Sequence, residues 1–160
     1  KEKQPDNLGE FTVPVGKIEI TKEGSDVTLV TYGSTWRIVS EAANELEKLG
    51  ISSEVIDIQS LIPFDLSAEI AQSIKKTNRL VVIDEDVEGG TSAFILQQVL
   101  EKQKAFRYLD SDPLTISAEN HRPAYASDGD YFSKPSADDI VEKVYQLFFE
   151  LNPEKYPPIY

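Results

Sequence analysis

A short stretch rich in acids and glycine offers the first candidate for chemistry. Residues 81–95, VVIDEDVEGGTSAFI, run from an apolar segment through four acids and a Gly pair into a second apolar segment. A strand that ends in such a turn before a helix is a common place for α/β proteins to build a site. The candidate residues are Asp84, Glu85, Asp86, Glu88, Gly89 and Gly90.

Several roles compete for this stretch. The free N–H groups of a helix start can hold an anion, but four carboxylates would repel phosphate, and no Lys follows the glycines as in a phosphate-binding loop. Carboxylates are also ligands for Mg²⁺ or Ca²⁺, although the spacing of a calcium loop is missing. The pattern favours a structural turn over a metal site, and a protein-contact role for the loop stays open.

A second strand-to-helix turn lies at TYGST, residues 31–35, and adds Tyr32, Gly33 and Ser34 to the candidates. If its strand and the strand of residues 81–84 are neighbours in the sheet, the crevice between them is a topological switch point, where open α/β sheets bind ligands. The favoured interpretation is a tight turn before a helix capped by Ser34 or Thr35.

The remaining candidates lie in a long irregular segment, residues 118–135. His121 is the only histidine, and it lacks a serine or cysteine motif and an orienting acid, so a surface contact is favoured over proton transfer. Tyr125, Tyr131 and Phe132 either pin this loop to its own domain or anchor a partner. From the residues alone, no catalytic, cofactor-binding or metal-binding set is predicted.

Composition limits the classes of function. The chain has 160 residues, which suits one packed domain, and no apolar run is long enough to span a membrane. Its net charge of −12 disfavours nucleic acid. The charge would attract a basic partner protein, but solubility alone is the favoured interpretation. Without Cys it has no disulfide and no thiolate metal site. Without Met, even at residue 1, the chain is expected to be a fragment cut from a longer protein.

Periodicity predicts strands that alternate with helices. Helices are expected to start at Ser34 or Thr35, at Asp65, at Thr91 or Ser92, and at Ser136. In the helix that starts at Asp65, Leu66, Ile70 and Ile74 are expected to face inward. In the helix that starts at Ser136, Leu147 and Leu151 are expected to face inward. This alternation predicts an α/β fold with helices on both faces of a largely parallel sheet. Residues 1–16 are expected to form a linker, and residues 152–160 an extended Pro-rich tail. The predicted strands cover residues 17–20, 27–33, 53–58, 79–84 and 113–117.

Several motifs in order carry a resemblance to a known family. The motifs are FTVPVGKIEITKEGSDVTLVTYGS, EVIDIQSLIPFD, KKTNRLVVIDED with Gly89–Gly90, YLD and PAY. Together they are similar to the C-terminal domain of the beta subunit of thiamine diphosphate-dependent 2-oxo acid dehydrogenases, of the pyruvate and branched-chain type. The match runs from about Thr12 to Leu151.

The resemblance implies a transketolase C-terminal domain-like fold over residues 17–151. It implies a three-layer α/β/α sandwich with a five-stranded mixed sheet, mostly parallel, whose first strand is antiparallel. It also implies that thiamine diphosphate and Mg²⁺ belong to the parent enzyme and bind outside this domain, so no cofactor is expected here. The location implied is the bacterial cytoplasm or the mitochondrial matrix.

The implied role is assembly and docking within the decarboxylating component. The implied partners are an alpha subunit or upstream cofactor-binding domains, a second beta subunit, and the subunit-binding domain of dihydrolipoyl acyltransferase. Neither nucleic acid nor membrane is expected as a partner. Three alternatives stay open: the same domain of transketolase or deoxyxylulose-phosphate synthase, a regulatory small-molecule module at the switch-point crevice, and a pure interaction module.

Overall fold

The computed structural model describes residues 6–122, 125, 129 and 132–158, which include one five-stranded sheet. The strand order is β1-β3-β2-β4-β5. β1 pairs with β3 in the antiparallel direction, and the other neighbours pair in parallel. The predicted mixed sheet with an antiparallel first strand is therefore confirmed. The strands are β1 (Glu19–Lys22), β2 (Val27–Thr31), β3 (Ser53–Asp57), β4 (Leu80–Val87) and β5 (Leu114–Ala118).

Helices cover both faces of this sheet, which confirms the three-layer arrangement. One core lies between the sheet and helices α1 and α4, and the second lies between the sheet and helices α2 and α3. All five residues of the central strand β2 are buried, as expected for a parallel strand covered on both sides. The helices are α1 (Thr35–Lys48), α2 (Glu69–Thr77), α3 (Thr91–Leu96, continued by a π-helical turn at Gln97–Lys102) and α4 (Ala137–Leu151), with a 3₁₀ turn at Ala105–Tyr108.

The start of α2 differs from the sequence expectation. The buried carboxylate of Asp65 does cap the helix, but it accepts hydrogen bonds from the N–H groups of Glu69 (3.0 Å) and Ile70 (2.9 Å), so the helix begins at Glu69. Leu66 therefore lies before the helix and is 72% exposed, and its predicted inward position was wrong. Ile70 and Ile74 are buried as predicted.

Helix α4 begins at the predicted cap. Ser136 Oγ accepts a hydrogen bond from the N–H of Asp139 at 3.2 Å, and the Asp139 carboxylate accepts one from the N–H of Ser136 at 2.8 Å. This reciprocal pair is a capping box. The buried stripe includes Val144 and Phe148, whereas Leu147 is only partly buried and Leu151, also predicted to be buried, is 42% exposed.

The segment after α4 folds back instead of running extended. The N–H of Tyr156 donates to the carbonyl of Asn152 at 3.0 Å, and the Tyr156 ring is buried against Tyr145 and Phe148. The tail thus adds one aromatic residue to the core under α1 and α4. Among the described residues, none of the helices is both long and apolar enough to cross a bilayer.

Candidate functional site

The acids of the opening stretch lie on the last part of β4. The register passes from the pair Ile83–Ile116 to the pair Val87–Ala118, so β4 advances four residues while β5 advances two. Asp84, Glu85 and Asp86 therefore form a bulge in a strand that continues past its predicted end at residue 84. Bulges turn side chains away from the regular alternation of a strand.

The first acid of the bulge is fully buried. Asp84 Oδ1 accepts hydrogen bonds from the Tyr32 hydroxyl at 2.7 Å and from the N–H of Asp86 at 3.0 Å. Asp84 Oδ2 accepts one from the N–H of Ser92 at 2.7 Å. One carboxylate thus joins the turn after β2, the bulge of β4 and the start of α3.

Burial is also the main influence on Tyr32. It raises the pKa of the phenol to about 12, and the nearby carboxylates of Asp84 and Glu85 act in the same direction, while a hydrogen bond with Thr91 opposes them. The phenol therefore stays protonated at neutral pH and serves Asp84 as a hydrogen-bond donor. Gly33 follows with a φ of +60°, a left-handed conformation that favours glycine.

The second acid closes the crevice between the two turns. Glu85 Oε2 accepts hydrogen bonds from Ser34 Oγ at 3.0 Å and from Lys134 Nζ at 3.3 Å. Ser34 was expected to be a possible helix cap, but its hydroxyl bonds Glu85 and makes no capping bond. β2 and β4 are neighbours in the sheet, so this crevice does lie at the switch point.

The Gly pair lies shortly after this bulge and is shaped by it. Gly89 has a φ of +84°, and a Cβ on Gly90 would lie 2.8 Å from Asp86 Oδ2. The second glycine thus leaves room for the Asp86 carboxylate, which also accepts a hydrogen bond from the N–H of Val87 at 2.8 Å.

A groove of about 520 Å³ lies beside this crevice, between the starts of α1 and α4. Glu41, Glu85 and Asp138 line it with Lys134 as the basic member of the lining. Three carboxylates against one ammonium group make the groove unfavourable for the phosphate groups of a nucleotide.

Comparison with known proteins decides the family. The family described as "Transketolase, C-terminal domain" matches residues 16–140. The chain belongs to this family. It is 36% identical over 138 residues to the pyruvate dehydrogenase E1 component subunit beta of Rhizobium meliloti (strain 1021), a match that covers 86% of this chain and 29% of the relative.

A plant relative and a solved structure agree with this assignment. The chain is 39% identical over 132 residues to the mitochondrial pyruvate dehydrogenase E1 component subunit beta-2 of Oryza sativa subsp. japonica, which covers 82% of this chain and 34% of the relative. The chain thus spans about a third of the length of these two relatives. It superposes on a split-gene transketolase, solved as an inactive beta4 tetramer, with a TM-score of 0.68 and 26% identity, over 89% of this chain and 45% of the other.

In this transketolase C-terminal domain, the carboxyl edge of the sheet does not fit a diphosphate-bearing cofactor. The N–H of Ser92, at the start of α3, already bonds Asp84, and the exposed Asp86 and Glu88 would repel a diphosphate. Within the part of the chain that the structure describes, no three acidic or imidazole side chains are placed to hold a metal ion.

The candidates of the long loop do not join this network in the described contacts. His121 is exposed, and its Nδ1 lies 3.0 Å from the carbonyl oxygen of Arg122. Tyr125 is 83% exposed and accepts a hydrogen bond from Arg122, and Phe132 is 70% exposed. Tyr131 lies outside the described residues.

The sequence analysis did not predict the contacts of three groups at this site of the transketolase C-terminal domain. They are the hydroxyl of Thr91, the N–H of Ser92 and the ammonium group of Lys134. The first two were considered only as helix starts. No local signal pointed to Lys134, because its contact with Glu85 spans 49 positions in the sequence.

Proposed function

We propose that this chain is the C-terminal domain of the decarboxylating component of a 2-oxo acid dehydrogenase complex, acting in assembly and partner docking. The parent enzyme would decarboxylate a 2-oxo acid oxidatively and pass the acyl group to lipoyl groups. Thiamine diphosphate and Mg²⁺ would bind to its other domains and supply the carbanion chemistry there. The similarity to two pyruvate dehydrogenase E1 beta subunits supports this proposal.

The observation that carries the non-catalytic role is the use of Asp84. A buried carboxylate at the switch point of an α/β sheet is a natural candidate for catalysis. Here both of its oxygens are taken by donors of the domain itself: Tyr32, Asp86 and Ser92. A group bonded in this way stabilises the edge of the sheet and offers little to a substrate.

The proposed domain boundaries divide the chain into three parts. Residues 1–16 would connect an upstream domain, and residues 17–151 would form the folded unit. Residues 152–160 would form a tail that packs on this unit through Tyr156. Support comes from the family match over residues 16–140 and from the short span of this chain against its relatives.

The proposed partners are an alpha subunit, a second copy of the beta-type chain and the basic subunit-binding domain of dihydrolipoyl acyltransferase. The net charge of −12 supports a basic partner. A second copy is supported by the split-gene transketolase relative, which was solved as a beta4 tetramer. Bacterial and mitochondrial relatives support a location in the bacterial cytoplasm or the mitochondrial matrix.

The non-catalytic role is tested by an activity assay on this chain. Thiamine diphosphate, Mg²⁺ and a series of 2-oxo acids are added, and the release of CO₂ is measured. We expect no release above the rate without protein. Turnover by the isolated chain, abolished by Asp84→Asn, would show that the switch point is catalytic and would overturn the proposal.

The docking role is tested by titration with a basic subunit-binding domain. Calorimetry at about 0.05 M and about 0.5 M salt should show an affinity that weakens with salt, since screening shortens the range of charge attraction. A charge-reversed version of the same subunit-binding domain serves as the matched control and should not bind. Equal affinity at both salt concentrations would contradict acidic docking.

A further inference from the structure

We propose that the groove between the starts of α1 and α4 binds a short aliphatic diamine, whose ammonium groups lie beside carboxylates and whose methylene chain lies on an apolar wall. This inference goes beyond the proposed function and does not rest on it. We call the site the α1–α4 groove, and its volume is about 520 Å³. Its lining includes Thr35, Ile38 and Glu41 on one side and Pro135, Ala137 and Asp138 on the other.

The charge of the α1–α4 groove favours a dication. Glu85 is paired with Lys134, whose Nζ lies 3.3 Å from Glu85 Oε2. The carboxylates of Glu41 and Asp138 are exposed, and in the described part of the chain neither takes part in an ion pair or a side-chain hydrogen bond. Two carboxylates of the lining therefore remain available to a cationic ligand.

A buried hydroxyl gives an independent sign of a ligand. Thr35 lines the groove and is 2% exposed, and its Oγ1 is buried without a hydrogen-bond partner. Among the described residues that line the groove, no other side chain has a buried polar atom in this state. A buried hydroxyl without a partner is unfavourable. An ammonium group of the ligand supplies an N–H donor to this oxygen.

The apolar part of the lining favours an organic cation over a metal ion. Ile38, Pro135 and Ala137 line the same groove as the acids, and methylene groups that cover such surface gain from the hydrophobic effect. A metal ion would need converging ligands, and within the described ranges no three acidic or imidazole side chains are placed to hold one. An anion would be repelled by the acids.

The number of available carboxylates favours a diamine over a monoamine. A linear diamine can place one ammonium group beside Glu41 and the other beside Asp138, whereas a monoamine leaves one of these acids unpaired. Because exposed ion pairs each contribute little to affinity, the expected dissociation constant is about 1 mM.

The experiment is a titration of the 160-residue chain with putrescine, a linear aliphatic diamine, followed by NMR through the amide chemical shifts of Thr35 and Ala137. We expect these shifts to saturate with a dissociation constant of about 1 mM at low salt. The diol with the same carbon chain has no charge, and Mg²⁺ has the charge without the chain. Neither compound should reproduce the shifts at the same concentration.

Variants of the lining locate the binding site. Glu41→Gln and Asp138→Asn should each weaken putrescine binding about threefold, and the two together about tenfold. Thr35→Val keeps the size of the side chain, and it should weaken binding about threefold because it removes the buried hydroxyl. Glu142→Gln is the matched control, since it removes a carboxylate from an exposed position on α4 that does not line the groove. Circular dichroism confirms that each variant is folded.

Equal shifts with putrescine and Mg²⁺ would mean general attraction to an acidic chain and would overturn the inference. A titration that does not saturate, or a loss of affinity in Glu142→Gln as large as that in the double variant, would also overturn it. These outcomes leave the proposed function untouched, because CO₂ release and the salt dependence of docking test that function.

A competition experiment separates a free diamine from a lysine side chain of a partner. The basic subunit-binding domain is added to the chain saturated with putrescine, and we expect the shifts of Thr35 and Ala137 to persist. Displacement of putrescine by an equimolar amount of that domain would assign the groove to the partner's ammonium groups and would overturn the free diamine as its ligand.

Discussion

The Tyr32 hydroxyl donates a 2.7 Å hydrogen bond to Oδ1 of Asp84, across 52 positions in the sequence. The bond ties the turn after β2 to the bulge of β4, and Oδ2 of the same carboxylate holds the start of α3 through the N–H of Ser92. The carboxyl edge of the sheet is therefore fixed by one buried acid.

Removal of that acid should destabilise the domain. Asp84→Ala leaves the N–H groups of Asp86 and Ser92 without their acceptor, and we expect the free energy of unfolding to fall by about 2–4 kcal/mol. Urea unfolding measures the change. Glu88→Ala, at an exposed position four residues further on, should change stability by less than about 0.5 kcal/mol. Equal effects of the two variants would contradict the role given to Asp84.

The phenol of Tyr32 should make stability depend on pH in the alkaline range. Because burial raises its pKa to about 12, while an unfolded tyrosine titrates near 10, the folded state retains the proton over this interval and the unfolded state loses it. Its contribution is fully present below about pH 10 and is lost as pH rises through about 12. Tyr32→Phe should therefore show a shallower loss of stability between about pH 10 and 12.

The control for the pH series is Ser34→Ala, in the same turn, which removes a hydroxyl and leaves the phenol. For Ser34→Ala, the free energy of unfolding should fall with pH as steeply as it does for the unchanged chain. If Tyr32→Phe keeps the full slope, the pH dependence comes from other groups.

The capping box of α4 should contribute measurably to stability. Ser136→Ala removes the acceptor for the N–H of Asp139, and the expected cost is about 1 kcal/mol. Ser67→Ala, at an exposed serine that lies before α2, is the matched control. Thermal or urea unfolding of both variants gives the comparison, and an unchanged Ser136→Ala would show that the cap is dispensable.

The tail residue Tyr156 should act as a core residue. Its ring lies 5.2 Å from that of Phe148 and 6.1 Å from that of Tyr145, centroid to centroid, and it is 6% exposed. Tyr156→Ala should cost about 3 kcal/mol, as for other buried aromatic truncations. Exposed Glu154→Ala is the control. A neutral Tyr156→Ala would mean that the tail does not pack on α4 in solution.

The exposed ring of Phe106 shows how local signals can go unrecognised. Phe106 stands among Lys102, Lys104 and Arg107 in the sequence, and a basic cluster around an aromatic residue is visible there. Whether that ring is buried or exposed depends on the 3₁₀ turn that follows the π-helical turn, and neither element has a pattern distinct from that of an ordinary helix end.

The sequence by itself determined the elements that depend on neighbouring residues. The apolar run of β2, the cap at Ser136 and the alternation of strands with helices predicted an α/β sandwich, because burial on two faces and helix capping act over a few residues. The resemblance to the family predicted in addition that the first strand is antiparallel.

Only the tertiary structure decided the features that join distant residues. β4 runs on to Val87 because that residue pairs with Ala118, and Tyr156 is buried because α4 offers it an aromatic surface. Asp84 is hydrogen-bonded within the domain because Tyr32 and Ser92 lie beside it. A carboxylate has the same local pattern whether water, a metal or a phenol faces it. Its partners are set by packing across the sheet, and the pattern of adjacent residues does not specify that packing.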